Sequence, residues 1–254
     1  MAAMGAGPGP SGDGDRAERV RTMFSDIAPT YDLLNGVLSF GVDRRWRSEA
    51  ARAALAHVPR VSGAVLDVAT GTGDLAFTLK RQRPDVRVVG VDFAAPMLDL
   101  ARLKAAKRGA DIEFEQADGT ALPYPDATFD AVTIAYGLRN FAEPDAGLRE
   151  FRRVLKTGGR LTILEFPPPP AGAFGALFRF YFTRVLPRLG GLVSGAPGAY
   201  AYLPESVLAF FTPEALDSHL LEAGFERVEY RLQTFGVSAL HVADVVPKPV
   251  GRRT

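Results

Sequence analysis

Two groups of residues in this chain have types and spacing suited to chemistry. Arg139 and Asn140 close the stretch AVTIAYGLRNF (131–141), which begins as an apolar run fit for the middle of a sheet. In open α/β sheets ligands sit just outside the carboxyl ends of strands, so both side chains fall where a reacting group would lie. The second group is acidic and glycine-rich. Asp67 ends an earlier apolar run, and Gly71 and Gly73 occupy the loop after it in VLDVATGTGD; Asp92 ends VVGVD, and Asp118 stands beside Gly119 in QADGTALPYPD. Glycines let that loop turn sharply and bring backbone N–H groups close to a ligand at the head of the next helix. Asp92 follows Gly73 by about 20 residues, the distance at which an acidic side chain accepts hydrogen bonds from ribose hydroxyls. The pattern describes a nucleoside site.

The stretch G-T-G-D-L-A (71–76) also fits the dinucleotide pattern, so a nicotinamide-dependent oxidoreductase is the rival from a different class. Two features favour S-adenosylmethionine. Asp67 faces into the glycine loop, where a carboxylate helps hold an amino-acid end and repels a pyrophosphate, and Asp118 with Gly119 offers a carboxylate and bare backbone to an adenine edge. None of the seven tyrosines has a lysine four residues on, so the Tyr-x-x-x-Lys pair of one dehydrogenase branch is missing. The plainer reading makes Gly71, Gly73 and Asp118 turn residues only.

These residues need a parallel sheet to position them, and the chain supplies one. From residue 63 short β-rich runs alternate with helical stretches: AVLDVA, DLAFTLKRQ, VRVVGVD, APMLDLARLKAAK, IEFEQAD, FDAVTIAYG, the helix AGLREFRRVLK, then RLTILEF after the turn TGG. That alternation predicts five strands joined by right-handed crossovers. The last two strand patterns, FERVEYRLQTF and VSALHVADVV, are too close for a crossover and predict an antiparallel hairpin at the sheet edge. Thirty basic and 29 acidic residues nearly cancel, which gives no electrostatic case for nucleic acid as a partner. With no cysteine and three histidines, His57, His219 and His241, no metal site is expected.

With those motifs in view the chain resembles the ubiquinone and menaquinone biosynthesis C-methyltransferases from residue 20 to 246. The likeness rests on MFSDIAPTYDLLNGVLSFGVDRRWR, LDVATGTGD, ALPYPDATFDAVTIAYGLRNF, EFRRVLKTGGRLTILEF and YLPESV. It implies a class I S-adenosylmethionine-dependent methyltransferase (Rossmann-like) fold of α/β class, with a mostly parallel seven-stranded sheet, a C-terminal antiparallel hairpin and a helical N-terminal lid. It also implies C-methylation of a prenylated quinol ring, demethylmenaquinol first and a polyprenyl methoxy-benzoquinol as the alternative, with the cofactor held through Thr72, Asp92, Asp118 and Gly119. Ala135 stands where the family commonly has Ser or Thr. Ring methylation needs a carbon nucleophile, which a quinol becomes when a hydroxyl loses its proton. Arg139 would stabilise that oxygen anion without being the base, since arginine is effectively never deprotonated. A water polarised by Asp118 or Asn140 takes the proton. The competing structural role has Arg139 and Asn140 capping a helix or pairing with Glu143.

Residues 1–14 read as a disordered tail on a single domain spanning 15–254. Within it, 15–58 form a helical lid, 63–166 the cofactor-binding core and 171–211 a helical substrate-side insertion. Tyr31, with Asp32, is assigned to the pocket by resemblance. Phe174, Leu177, Phe178, Tyr181, Phe182, Val185, Leu186 and Leu189 follow a helical pattern. Phe180 with GGLVSG (190–195) would open a groove for an isoprenoid tail, while Arg179, Arg184 and Arg188 face lipid phosphates or simply solvent. The expected location is cytoplasmic, with peripheral contact on the inner face of a membrane and a homodimer both compatible with the sequence.

Overall fold

Alternate residues of β1 (Ala64–Val68) serve opposite faces of the sheet, and the two faces collect different helices. The computed structural model describes residues 41–170, 172–185 and 197–246. In chain order β1 is preceded by α1 (Asp43–Leu55) and followed by α2 (Asp74–Gln82), β2 (Arg87–Asp92), α3 (Ala95–Arg108), β3 (Glu113–Gln116), β4 (Phe129–Ala135), α4 (Pro144–Val154) and β5 (Leu155–Glu165). Then come α5 (Ala173–Phe180), α6 (Pro197–Leu208), α7 (Pro213–Glu222), β6 (Arg227–Gln233) and β7 (Ser238–Asp244).

The seven strands lie in the order β3-β2-β1-β4-β5-β7-β6. Pairing is parallel from β3 through β5, and antiparallel between β5 and β7 and between β7 and β6, as the closely spaced last strands predict. Val65, Val88 and Ala131 pack with α1, α2 and α3 on one face. Leu66, Val89, Val132 and Ile163 pack with α4 and α7 on the other. The chain therefore reverses its march across the sheet between β1 and β4, and at such a reversal the loops diverge and leave a crevice.

Three expectations change. The helix expected over AGLREFRRVLK ends at Val154, because Leu155 already pairs with Phe129 as the start of β5. The glycine turn then loops out of the ladder and is itself paired: Gly158 N–H donates to the Val245 carbonyl at 2.7 Å, and Val245 N–H to that of Gly159 at 3.0 Å. The long apolar helix is regular only to Phe180 and continues as a π-helical turn over Tyr181–Val185, so the strict 3.6-residue repeat does not hold there. The described part of the expected lid is a core helix. Ala50, Ala51 and Ala54 are fully buried, and their small side chains let α1 lie on the sheet, with Trp46 edge-on to Phe166 at 6.2 Å. The expected tail (1–14), the earlier lid residues and GGLVSG lie outside the described residues.

Gly90, in the middle of β2, shows how tightly β2 meets β3 and the loop after β1. A Cβ there would come within 2.9 Å of both the Phe114 ring and the Thr70 hydroxyl. Glycine inside a strand often marks such a close approach. Gly90→Ala is expected to lower stability by roughly 1–3 kcal/mol, the usual cost of overpacking. Urea unfolding checks this, with part of the loss recovered when Phe114→Leu is added.

Candidate active site

The crevice at the reversal point is lined by Ala69 and Gly71 after β1, Asp92, Phe93 and Met97 after β2, Asp118 to Thr120 after β3, and the segment from Ala135 to Ala142 apart from Leu138 and Arg139. Its cavity volume is about 170 Å³. Two non-glycine residues in its wall, Ala69 (φ 50°) and Tyr136 (φ 58°), sit in the left-handed region at the ends of β1 and β4. Such conformations cost on the order of 1 kcal/mol each and persist where the surroundings enforce them. The enforcement here is contact: a Cβ on Gly137 would lie 2.5 Å from the Ala69 Cβ.

Beneath the glycine loop lies Asp67, 1% exposed. Thr70 Oγ1 donates to its Oδ2 at 2.6 Å and Thr133 Oγ1 to its Oδ1 at 2.7 Å, so the carboxylate ties β1, the loop and β4 together. Burial pushes its pKa up to about 6 despite those two hydroxyls. Asp92 is held differently. Gly71 N–H donates to one oxygen at 2.8 Å and Ala94 N–H to the other at 2.9 Å, which leaves lone pairs on both. Burial raises this carboxyl as well.

Of the residues expected to bind cofactor, Gly71, Asp92, Asp118 and Gly119 line the crevice; Asp67, Thr72 and Gly73 do not. Thr72 turns its hydroxyl to Lys104 Nζ at 2.7 Å. Gly73 caps α2 with φ 88°, and a Cβ there would meet the Phe77 ring at 2.9 Å. Asp118 is exposed, and its Oδ1 accepts both the N–H and the hydroxyl of Thr120 at 2.8 Å.

The GLRN motif divides its labour among four residues. Gly137 lets the loops after β1 and β4 touch, and Leu138 is fully buried. Arg139 is buried behind the crevice wall, where Nη1 donates to the Tyr136 carbonyl and to Glu165 Oε1 at 2.6 Å. The ion pair is therefore with Glu165 at the end of β5, and not with Glu143. Asn140 lines the crevice and accepts from the Tyr202 hydroxyl on α6 at 3.2 Å. Phe180, assigned to substrate, is 60% exposed in a separate surface groove with Pro170, Ala176, Arg179 and Thr183. Tyr31 lies outside the described residues.

Sequence reasoning missed the apolar lining: Phe93, Met97 and Phe141. The last had a signal in two glycines, since a Cβ on Gly119 or Gly147 would come within 2.5 or 2.7 Å of the Phe141 ring.

The sequence pattern of the ubiE/COQ5 methyltransferase family matches residues 13–244. The chain belongs to that family. It is 60% identical over 222 residues to the demethylmenaquinone methyltransferase of Thermus thermophilus, covering 87% of this chain and 99% of that one. It is 48% identical over 233 residues to the ubiquinone/menaquinone biosynthesis C-methyltransferase UbiE of Geobacter sulfurreducens, covering 91% and 90%. A solved SAM-dependent methyltransferase from Aquifex aeolicus shares the fold, with a TM-score of 0.57 at 21% identity, covering 78% of this chain and 89% of that one. This ubiE/COQ5 family member is thus an S-adenosylmethionine-dependent methyltransferase.

The crevice fits that cofactor. Among the described residues its lining holds two carboxylates, Asp92 and Asp118, and no Lys or Arg. Such a wall suits a cationic nucleoside flanked by apolar Phe93, Met97 and Phe141, and offers no side-chain cation to a pyrophosphate.

The Asp67 carboxyl makes a testable contribution to stability. Its folded pKa lies above the ordinary 3.8, so its contribution is full below about pH 4 and is lost as pH rises through about 6. Asp67→Asn, without ligand, is expected to be more stable than the native chain at pH 7.5 by up to on the order of 3 kcal/mol. The gap should close toward pH 4 in paired urea titrations. Equal gaps at both pH values would mean that the carboxyl is not carrying this penalty.

Proposed function

We propose that this protein methylates a ring carbon of a prenylated quinol, demethylmenaquinol first. The observation that carries the reading is the crevice wall at the reversal of the sheet, acidic and apolar with no Lys or Arg among the described lining residues, in a chain 60% identical to a named demethylmenaquinone methyltransferase. When bound, S-adenosylmethionine supplies an electrophilic methyl group on a cationic sulfur, which departs as a neutral thioether.

The chain's residues then have the following work. Gly71 offers the nucleoside a bare backbone to lie against, the open lone pairs of Asp92 orient it, and Phe93, Met97 and Phe141 exclude water from it. Arg139 lowers the pKa of a ring hydroxyl by stabilising its anion. The group is suited to this because its Nη2 makes no hydrogen bond among the described residues, while Nη1 is held by Glu165 and the Tyr136 carbonyl. Each pKa unit gained is worth about 1.4 kcal/mol. Asn140, braced by Tyr202, holds the water that takes the proton, and exposed Asp118 passes it to solvent. The ring carbon loses its own hydrogen as a proton after transfer, which restores aromaticity.

Tyr31 is a substrate-binding residue in this proposal. The groove at Phe180 receives the isoprenoid tail, with Arg179 at its rim toward an anionic membrane surface. No helix among the described residues is long and apolar enough to cross a membrane. A benzoquinol substrate is the second reading, favoured by 48% identity to a protein named for both quinones.

Transfer of a labelled methyl group to reduced naphthoquinol and benzoquinol, side by side, tests the function. Naphthoquinol is expected to lead, with the oxidised quinones inert. Arg139→Ala and Arg139→Lys should each lose on the order of a hundredfold in turnover, as when an oxyanion donor is removed, without weaker cofactor binding. Near-normal turnover in both would remove Arg139 from the reaction.

A further inference from the structure

We propose that Glu165 is a positioning residue that neutralises Arg139, so that one wall can face a cationic cofactor and still present a guanidinium to the ring oxygen. The second half of that statement rests on the quinol reading; the first does not.

Glu165 is the last residue of β5 and is 2% exposed. Its carboxylate grips Arg139 at two points. Oε1 accepts Nη1 at 2.6 Å, and Oε2 faces the Arg139 backbone N–H at 3.4 Å, while the Phe166 N–H donates to Oε1 at 2.9 Å. The register Ala135↔Leu164 sets Glu165 beside the segment that lines the crevice, and Arg139 sits between lining residues Gly137 and Asn140.

The other buried acids are committed elsewhere. Asp67 is held by Thr70 and Thr133, and Asp92 by Gly71 and Ala94. Among the described residues, Glu165 alone forms an ion pair with Arg139. An unbalanced guanidinium in this buried wall would repel a sulfonium, since charges in a low-dielectric interior interact far more strongly than in water. The pairing also decides which nitrogen remains for substrate. Nη1 is spent on Glu165 and the Tyr136 carbonyl and Nε is enclosed in the wall, which leaves Nη2, without a hydrogen bond among the described residues, for substrate.

The discriminating measurement compares a cationic ligand with its neutral product in the same site. Isothermal titration with S-adenosylmethionine and S-adenosylhomocysteine is carried out on the native chain, Glu165→Gln, Arg139→Gln and the double variant. In Glu165→Gln the ratio of the two dissociation constants should rise about tenfold, through weaker S-adenosylmethionine binding. In Arg139→Gln it should fall, because Glu165 is then the unbalanced charge, and the double variant should return to the native ratio. A merely structural role would weaken both ligands in parallel, and an unchanged ratio in the single variants overturns the proposal. If Glu165→Gln does not fold, the opposite shift in Arg139→Gln decides the matter alone. No quinol enters the titration. An enzyme inert toward quinols would therefore overturn the substrate reading and leave this result standing.

Discussion

The crevice depends on a carboxylate that never faces it. Asp67 binds the Thr70 hydroxyl of the glycine loop and the Thr133 hydroxyl of β4, and so locks together the ends of the two strands between which the chain reverses direction. Other features follow from that lock. Thr70 comes so close to β2 that residue 90 must be glycine, and the loops after β1 and β4 meet so closely that residue 137 must be glycine too. Ala69 and Tyr136 are held in left-handed backbone conformations beside this contact. The hydroxyl bonds do not fully offset the burial of Asp67, and its carboxyl is left protonating near pH 6.

Charge is the second constraint, and it is met by segregation. Asp92 and Asp118 face the crevice, whereas Arg139 lies behind its wall against Glu165. Burial raises the pKa of Asp67, Asp92 and Glu165 alike, so the site resists accumulating negative charge and gains from a cation. Arginine keeps its proton under these conditions, and so it serves as a fixed donor and not as an acid or base.

How far this was legible varies with the range of the interaction. Alternating strand and helix patterns are local, and they foretold five parallel strands and the terminal hairpin. The boundary at Leu155 was not local, because the helix-compatible Leu155 is drawn into β5 by pairing with Phe129. Nor was the place of α1. Its alanines and Trp46 suit either a lid or a core, and only the sheet face across from them decided for the core. The glycines at 119 and 147 announced a close neighbour without saying which; the neighbour proved to be Phe141.

By itself the sequence determined the fold class, the nucleoside character of the glycine loop and the family, through spacing that any parallel sheet would translate into the same strand-end positions. It also singled out Arg139 and Asn140 as chemically placed. Tertiary structure alone decided that Asp67 and Thr72 support the loop from outside the crevice, that Arg139 pairs with Glu165 rather than Glu143, and that Asn140 is braced by Tyr202. Partners of that kind lie 26 to 66 positions apart in the chain. Their meeting depends on strand order and register, which no local pattern of residue types encodes.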